Sequence, residues 1–107
     1  MNDFDPEKLY HKLIEAGEEW SDKDAAANIL EETKKTLLAE LKTSYQGSDA
    51  ERERNSLATS EYKLHLKNMV LARKEANRAR VRYESMKMLA ELRRTEASTR
   101  RAEMQLR

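Results

Sequence analysis

Residues 62–104 read YKLHLKNMVLARKEANRARVRYESMKMLAELRRTEASTRRAEM, and this stretch decides the fold. One column of residues seven apart is aromatic, methionine or alanine throughout: Tyr62, Met69, Ala76, Tyr83, Ala90, Ala97 and Met104. A sustained seven-residue repeat is typical of a long helix that packs along another helix. Neither Gly nor Pro interrupts it. We therefore predict one long basic helix over about 60–107.

A second column, three residues after the first, completes the apolar face of this helix. It reads His65, Ala72, Ala79 and Met86, and turns basic at Arg93 and Arg100. The alanines predict that a neighbouring helix approaches closely. The core residues predicted for this helix are Tyr62, Leu66, Met69, Ala76, Tyr83, Met86 and Ala90.

The first half of the chain begins with a clear helix start, and a similar seven-residue apolar repeat follows it. Asp5 is suited to an N-cap and Pro6 to the first helical position. The predicted core residues are Leu9, Leu13, Trp20, Leu30, Leu37 and Leu41. We predict one helix over about 6–45. Because Ser21-Asp22-Lys23-Asp24 resembles a capping box, a break at 21–24 is the alternative.

Gly47 separates the two long helices and is suited to a helix C-cap. The following segment predicts a turn and a short helix over 46–59. The fold class is then all-α, a single domain over 1–107 built as a long, coiled-coil-like antiparallel hairpin, with Trp20 and Leu9 beside 83–97. Two helices leave Val70, Leu71, Val81 and Leu92 uncovered, so we expect a homodimer with a four-helix arrangement.

Composition excludes several classes of protein. The sequence has no cysteine, so disulfides and thiolate metal sites are excluded. We find neither an apolar run of membrane-spanning length nor a secretory signal pattern, and expect a cytoplasmic protein. Motifs for catalysis, metal or cofactor binding are missing, and His11 lacks the second histidine of a zincin. We therefore expect neither an enzyme nor a small-molecule substrate.

Charge divides the chain into two unlike halves. Residues 1–60 carry 8 Lys and Arg against 14 Asp and Glu, a net charge of −6, while 61–107 carry 13 against 6, a net of +7. One column in the second helix is cationic at five consecutive seven-residue steps: Arg73, Arg80, Lys87, Arg94 and Arg101. We call this column the ridge. It is flanked by Arg78, Arg82, Arg93 and Arg100.

Two interpretations of the ridge remain open. Its residues are suited to internal pairing with acids of the first helix, as in ordinary coiled coils; the candidates are Glu18, Glu19, Glu31, Glu32 and Glu40. Alternatively, the ridge binds nucleic-acid phosphates or an acidic partner, since the forked donors of Arg suit both.

Four stretches of the chain are distinctive, namely KLIEAGEEW at 12–20, EETKK at 31–35, ARKEANRARVRYE at 72–84 and RRT at 93–95. Together they resemble small helical proteins of tailed phages and prophages, which are often encoded near recombination and replication genes. The resemblance implies a viral or mobile-element accessory role and assigns no site residue. We expect a non-enzymatic accessory protein that binds a protein partner or nucleic acid. The alternatives are direct nucleic-acid binding by the ridge, and an adaptor or inhibitor of a host protein without nucleic-acid contact.

Overall fold

The computed structural model describes residues 5–106, which form three helices. Helix α1 spans Pro6–Lys42, α2 spans Asp49–Leu57 and α3 spans Ser60–Gln105. The all-α class is therefore confirmed for the described residues. The molecule measures 85 × 19 × 18 Å, and its radius of gyration of 23.8 Å far exceeds the roughly 13 Å of a compact chain this long.

Helix α1 is continuous through 21–24, so the alternative of a break there is wrong. Its start is the predicted one, with the Asp5 carboxylate accepting from the amides of Glu7 at 3.0 Å and Lys8 at 3.4 Å. Its end differs from the prediction, because the helix stops at Lys42 rather than 45. Backbone bonds from 43, 44 and 45 reach back three residues instead of four, which tightens the last turn and satisfies terminal carbonyls.

The connection between the long helices turns at Gly47, whose φ of 117° only glycine adopts at little cost. Thr43, rather than Gly47, occupies the C-cap of α1. Ser48 then caps α2, and Thr59 caps α3 by accepting from the Tyr62 amide at 3.1 Å. Arg52 of α2 donates to the Lys42 carbonyl at 3.2 Å. The short helix thereby covers the end of α1.

The two long helices run antiparallel, as contacts at three levels show. The His65 Nε2 donates to the Leu30 carbonyl at 2.7 Å near the turn. Farther from the turn, Arg73 of α3 pairs with Asp24 of α1. Farther still, the rings of Trp20 and Tyr83 lie 5.5 Å apart. As the residue number rises in one helix, it falls in the other. Trp20 is therefore beside residue 83, where the hairpin prediction puts it.

The seam between these helices is built from small side chains. Buried residues are Ala16, Ala27, Ser56, Tyr62, Ala76 and Ala79. Most of the larger core residues predicted from sequence are half-buried, as is Ala90; these larger residues are Leu9, Leu13, Trp20, Leu30, Leu37, Leu41, Leu66, Met69, Tyr83 and Met86. Sequence reasoning missed Ser56, which is fully buried and donates to the Arg52 carbonyl at 2.8 Å. Small residues therefore let the helices approach, and larger ones flank them.

Adjacent alanines in α1 test this close approach. Ala27 is fully buried, whereas Ala26 is exposed. We expect Ala27→Leu to lower the free energy of unfolding by about 1–3 kcal/mol, because the added carbons force the helices apart. The same change at Ala26 should alter it by less than about 0.5 kcal/mol. Urea denaturation followed by circular dichroism measures both, and equal destabilisation would contradict the tight seam.

Candidate functional site: the ridge and the distal groove

The ridge faces a matching column of α1, which reads Tyr10, Gly17, Asp24 and Glu31 at the same seven-residue spacing. In an antiparallel helix pair, equivalent flanking columns lie along the same edge. Acids therefore stand opposite the ridge only in the part of α1 nearer the turn. Glycine and tyrosine stand opposite it near the open end of the hairpin.

Arg73 is the ridge residue that meets these acids. Its guanidinium donates to both carboxylate oxygens of Glu31 at 2.9 and 3.1 Å, to Asp24 at 2.7 Å and to the Asn28 side chain at 2.7 Å. The hydrogen bond from Arg73 lowers the pKa of Glu31, and its positive charge adds to this against the opposing cost of burial. The hydrogen bonds that Arg73 donates to Glu31 and Asp24 in turn raise the pKa of its guanidinium. Arg73 therefore joins the two long helices rather than facing a ligand.

The residues flanking the ridge are engaged in part. Arg82 donates to Glu19 at 2.7 Å across the opposite edge of the hairpin. Arg78 pairs with Glu75 and Arg93 with Glu96 within α3, each at 3.3 Å, and exposed pairs of this kind contribute little stability. Of the acids considered from sequence, Glu19 and Glu31 pair with arginines of α3. Asp24 and Asn28 were missed, although the α1 column containing Asp24 was visible in the sequence.

The remaining cations form a separate group towards the open end of the hairpin. They are Arg80, Lys87, Arg94, Arg100 and Arg101, and all are exposed. Within residues 5–106, none of them has a carboxylate within 4.0 Å. Lys87 falls between Gly17 and Tyr10 of the opposing column, and neither of these residues offers a negative charge. The ridge is thus divided into a paired residue near the turn and exposed residues beyond it.

A groove of about 650 Å³ runs beside the exposed part of the ridge. We call it the distal groove. Its apolar lining consists of Pro6, Leu9, Tyr10, Leu13, Ala90 and Ala97, and its charged lining of Lys87, Glu91, Arg94, Arg100 and Arg101. The small side chains of Ala90 and Ala97 leave space between the helices. This combination of an apolar floor and a cationic rim was not foreseen from sequence.

The distal groove ends near Gly17 on the side of the turn, because the Tyr83 ring occupies the space above Gly17. A Cβ at Gly17 would lie 3.2 Å from Cε1 of Tyr83, which is tighter than usual van der Waals contact. The Tyr83 ring packs here on Trp20, with ring planes inclined by 36°. The aromatic pair therefore separates the Arg73 cluster from the distal groove.

A second hollow, of about 750 Å³, lies along α3 on the side of Arg73. Its lining includes Met69, Val70, Asn77 and Val81, together with Arg73, Arg78 and Arg82. These three arginines all bond carboxylates of this chain. Its lining also includes Lys74 and the carboxylate of Glu31. With one cation outside ion pairs and one acid in its described lining, this hollow is less suited than the distal groove to an anionic ligand.

The histidines lie outside both hollows. His65 is committed to the Leu30 carbonyl, and exposed His11 is 3.8 Å from Glu7 within α1. Within residues 5–106, no three His, Asp or Glu side chains converge as metal ligands would. Over the same range, none of the helices is long and apolar enough to cross a membrane. The expectation that the protein is not an enzyme stays a prediction.

No protein-family model, curated protein sequence or solved structure matches this chain. The resemblance to phage and prophage proteins therefore stays a prediction.

The Arg73 cluster predicts how stability depends on pH. Because the folded-state pKa of Glu31 is lowered, its contribution is present above the ordinary carboxyl pKa and is lost as pH falls through the folded value. We expect the Tm of the wild type to fall from about pH 5 to about pH 3, and Arg73→Met to flatten that fall. Arg80→Met, in the same column without a partner, should keep the wild-type slope. Parallel profiles for all three proteins would contradict the cluster's role.

Proposed function

We propose that this protein is a non-enzymatic helical binding module that captures an anionic macromolecule at the distal groove. The observation that carries the proposal is the row of exposed cations Lys87, Arg94 and Arg101 along that groove. At the level of Lys87 the facing column of α1 is Gly17 and Tyr10, which carry no charge. Within residues 5–106, none of the three cations has a carboxylate within 4.0 Å. Arginine is suited to carboxylates and phosphates alike, because its forked donors bind two oxygens at once.

The shape of the groove favours binding over chemistry. Catalytic sites hold substrates in concave pockets that exclude water. The distal groove instead lies along two helices of a molecule only 18–19 Å across. A surface of this kind supports an extended contact with another macromolecule.

An accessory role in phage or mobile-element DNA metabolism, in the cytoplasm of a bacterial host, is the biological setting that we propose. The resemblance of 12–20 and 72–84 to phage proteins supports it. Direct nucleic-acid binding is the second candidate, supported by the arginines and by their regular spacing of about 10.5 Å along α3.

Self-association is part of the proposal and concerns a different surface. The outer face of α3 carries apolar residues at 54–70% exposure, namely Val81, Met88 and Leu92, with Leu71 at 48%. They follow one another at helical spacing. A second copy packed on this face would cover them in a four-helix arrangement.

Sedimentation equilibrium tests the dimer. We expect the wild type to sediment as a dimer at micromolar concentration, and the double variant Val81→Glu with Leu92→Glu as a monomer, because buried like charges oppose association. Ile29→Glu changes an equally exposed residue of α1 and should leave the dimer intact. A wild type that remains a 12.5 kDa species would refute self-association.

Loss of charge at the groove tests the proposed function. We expect the triple variant Lys87→Gln, Arg94→Gln and Arg101→Gln to bind heparin and labelled DNA more weakly, and to elute from heparin at lower salt. Each lost phosphate contact should make the logarithmic salt slope shallower by about 0.7–0.9. The matched control is Lys63→Gln, Lys67→Gln and Lys74→Gln, which removes three exposed charges nearer the turn. Equal weakening by both variants would show general charge attraction and refute a specific site.

A further inference from the structure

We infer that the natural occupant of the distal groove is an acidic amphipathic helix of a partner protein, which packs there as a third helix. The inference rests on the proposed function and specifies its ligand. It follows from the way the groove combines an apolar floor with cations along one side.

The floor has the spacing of a helix-packing surface. Pro6, Leu9 and Leu13 follow one another along the first two turns of α1, and Ala90 and Ala97 are seven apart on α3. Leu9, Leu13, Ala90 and Ala97 are only half-buried within the hairpin. The small alanines leave a depression between two rows of side chains, into which apolar residues of another helix fit.

The rim determines the charge of the occupant. Lys87, Arg94 and Arg101 lie in one column, Arg100 adds a fourth cation, and Glu91 is the single acid in the described lining. An occupant with carboxylates along one flank would pair with this column while its apolar face covers Leu9 and Leu13. Flanking charges of this kind set partner choice in helical assemblies.

A nucleic acid fits the same groove less well. Single strands are held by aromatic side chains on which bases stack, and Tyr10 is the one aromatic residue in the described lining. Phosphates lying over Leu9, Leu13, Ala90 and Ala97 would be desolvated without a polar partner on the floor. The observations therefore favour a protein helix.

The groove also sets the length of the occupant. Fourteen residues separate Lys87 from Arg101, or about 21 Å of helix. Because Trp20 lies beside Tyr83, the start of α1 at Pro6 reaches the level of about Ala97. Helix α3 continues to Gln105 and extends the platform by about two turns. An occupant of about 14 residues would span the whole row of cations.

The acidic face of α1 is not suited to this position. The exposed acidic side of α1 forms a hollow of about 490 Å³ lined by Glu15, Glu18, Glu19, Asp22 and Lys23. It offers carboxylates without an apolar row beside them. A second copy that presented this face of α1 would satisfy the rim but leave the floor uncovered.

A pair of synthetic peptides tests the inference. The first is a helix of about 14 residues with leucines three and four apart on one face and glutamates on the flanks. The second has the same composition, reordered so that the leucines do not share a face. Fluorescence anisotropy of the labelled peptides measures binding to the full-length protein, and circular dichroism verifies that each variant is folded.

We expect the amphipathic peptide to bind more tightly than the reordered one. Tyr10→Ser, which removes a 62% exposed ring from the floor, should weaken it about tenfold, as should the Lys87, Arg94 and Arg101 triple change to Gln. Ile29→Ser, at a 60% exposed position of α1 outside the groove, should leave binding unchanged.

Other outcomes would overturn the inference in distinguishable ways. Equal binding of both peptides, sensitive only to the charge changes, would leave the proposed function standing and refute the helical ligand. DNA that displaces the peptide and is itself weakened by Tyr10→Ser would identify a nucleic-acid site. A wild-type dimer that Tyr10→Ser converts to monomer would place a second copy in the groove. Binding of neither peptide, heparin nor DNA would refute both proposals.

Discussion

The close approach of α1 and α3 along a seam of small side chains is the constraint on which the rest of the structure depends. Ala27, Ala76 and Ala79 are almost completely buried, so the helix backbones lie near one another and leave little room for large residues between them. The leucines predicted for the core, together with Trp20 and Tyr83, therefore pack beside the seam and stay half-buried. The result is a long, thin hairpin whose stability comes from many small contacts and from the intrinsic helix preference of its sequence.

The register of the two helices decides which charges are available to a partner. Arg73 meets Asp24 and Glu31 because the pairing brings these columns to the same level. Two heptads further along α3, Lys87 lies at a level where the facing column of α1 has no carboxylate. The column of cations is thereby divided: Arg73 joins the two helices, whereas Lys87 remains exposed at the surface.

The interior and the surface of this thin molecule differ in what they offer a ligand. Within the described residues, every buried side-chain nitrogen or oxygen has a hydrogen-bond partner, and the largest fully buried side chain is Ser56. The polar side-chain atoms buried in this part of the chain are therefore engaged within the fold. The distal groove and the outer face of α3 expose apolar residues instead, the first beside cations and the second at Val81, Met88 and Leu92.

The sequence by itself determined the helices and the start of α1, because these depend on local spacing and on single residues such as Asp5. It also predicted the hairpin, since Gly47 separates two seven-residue repeats. The end of α1 at Lys42 was missed, because helix termini depend on how the last carbonyls find partners, including Arg52 from α2. Only the tertiary structure decided that Arg73 is engaged while Lys87, Arg94 and Arg101 line a groove. That distinction depends on which α1 residue stands opposite each cation, and the register of two helices distant in sequence is fixed by their packing.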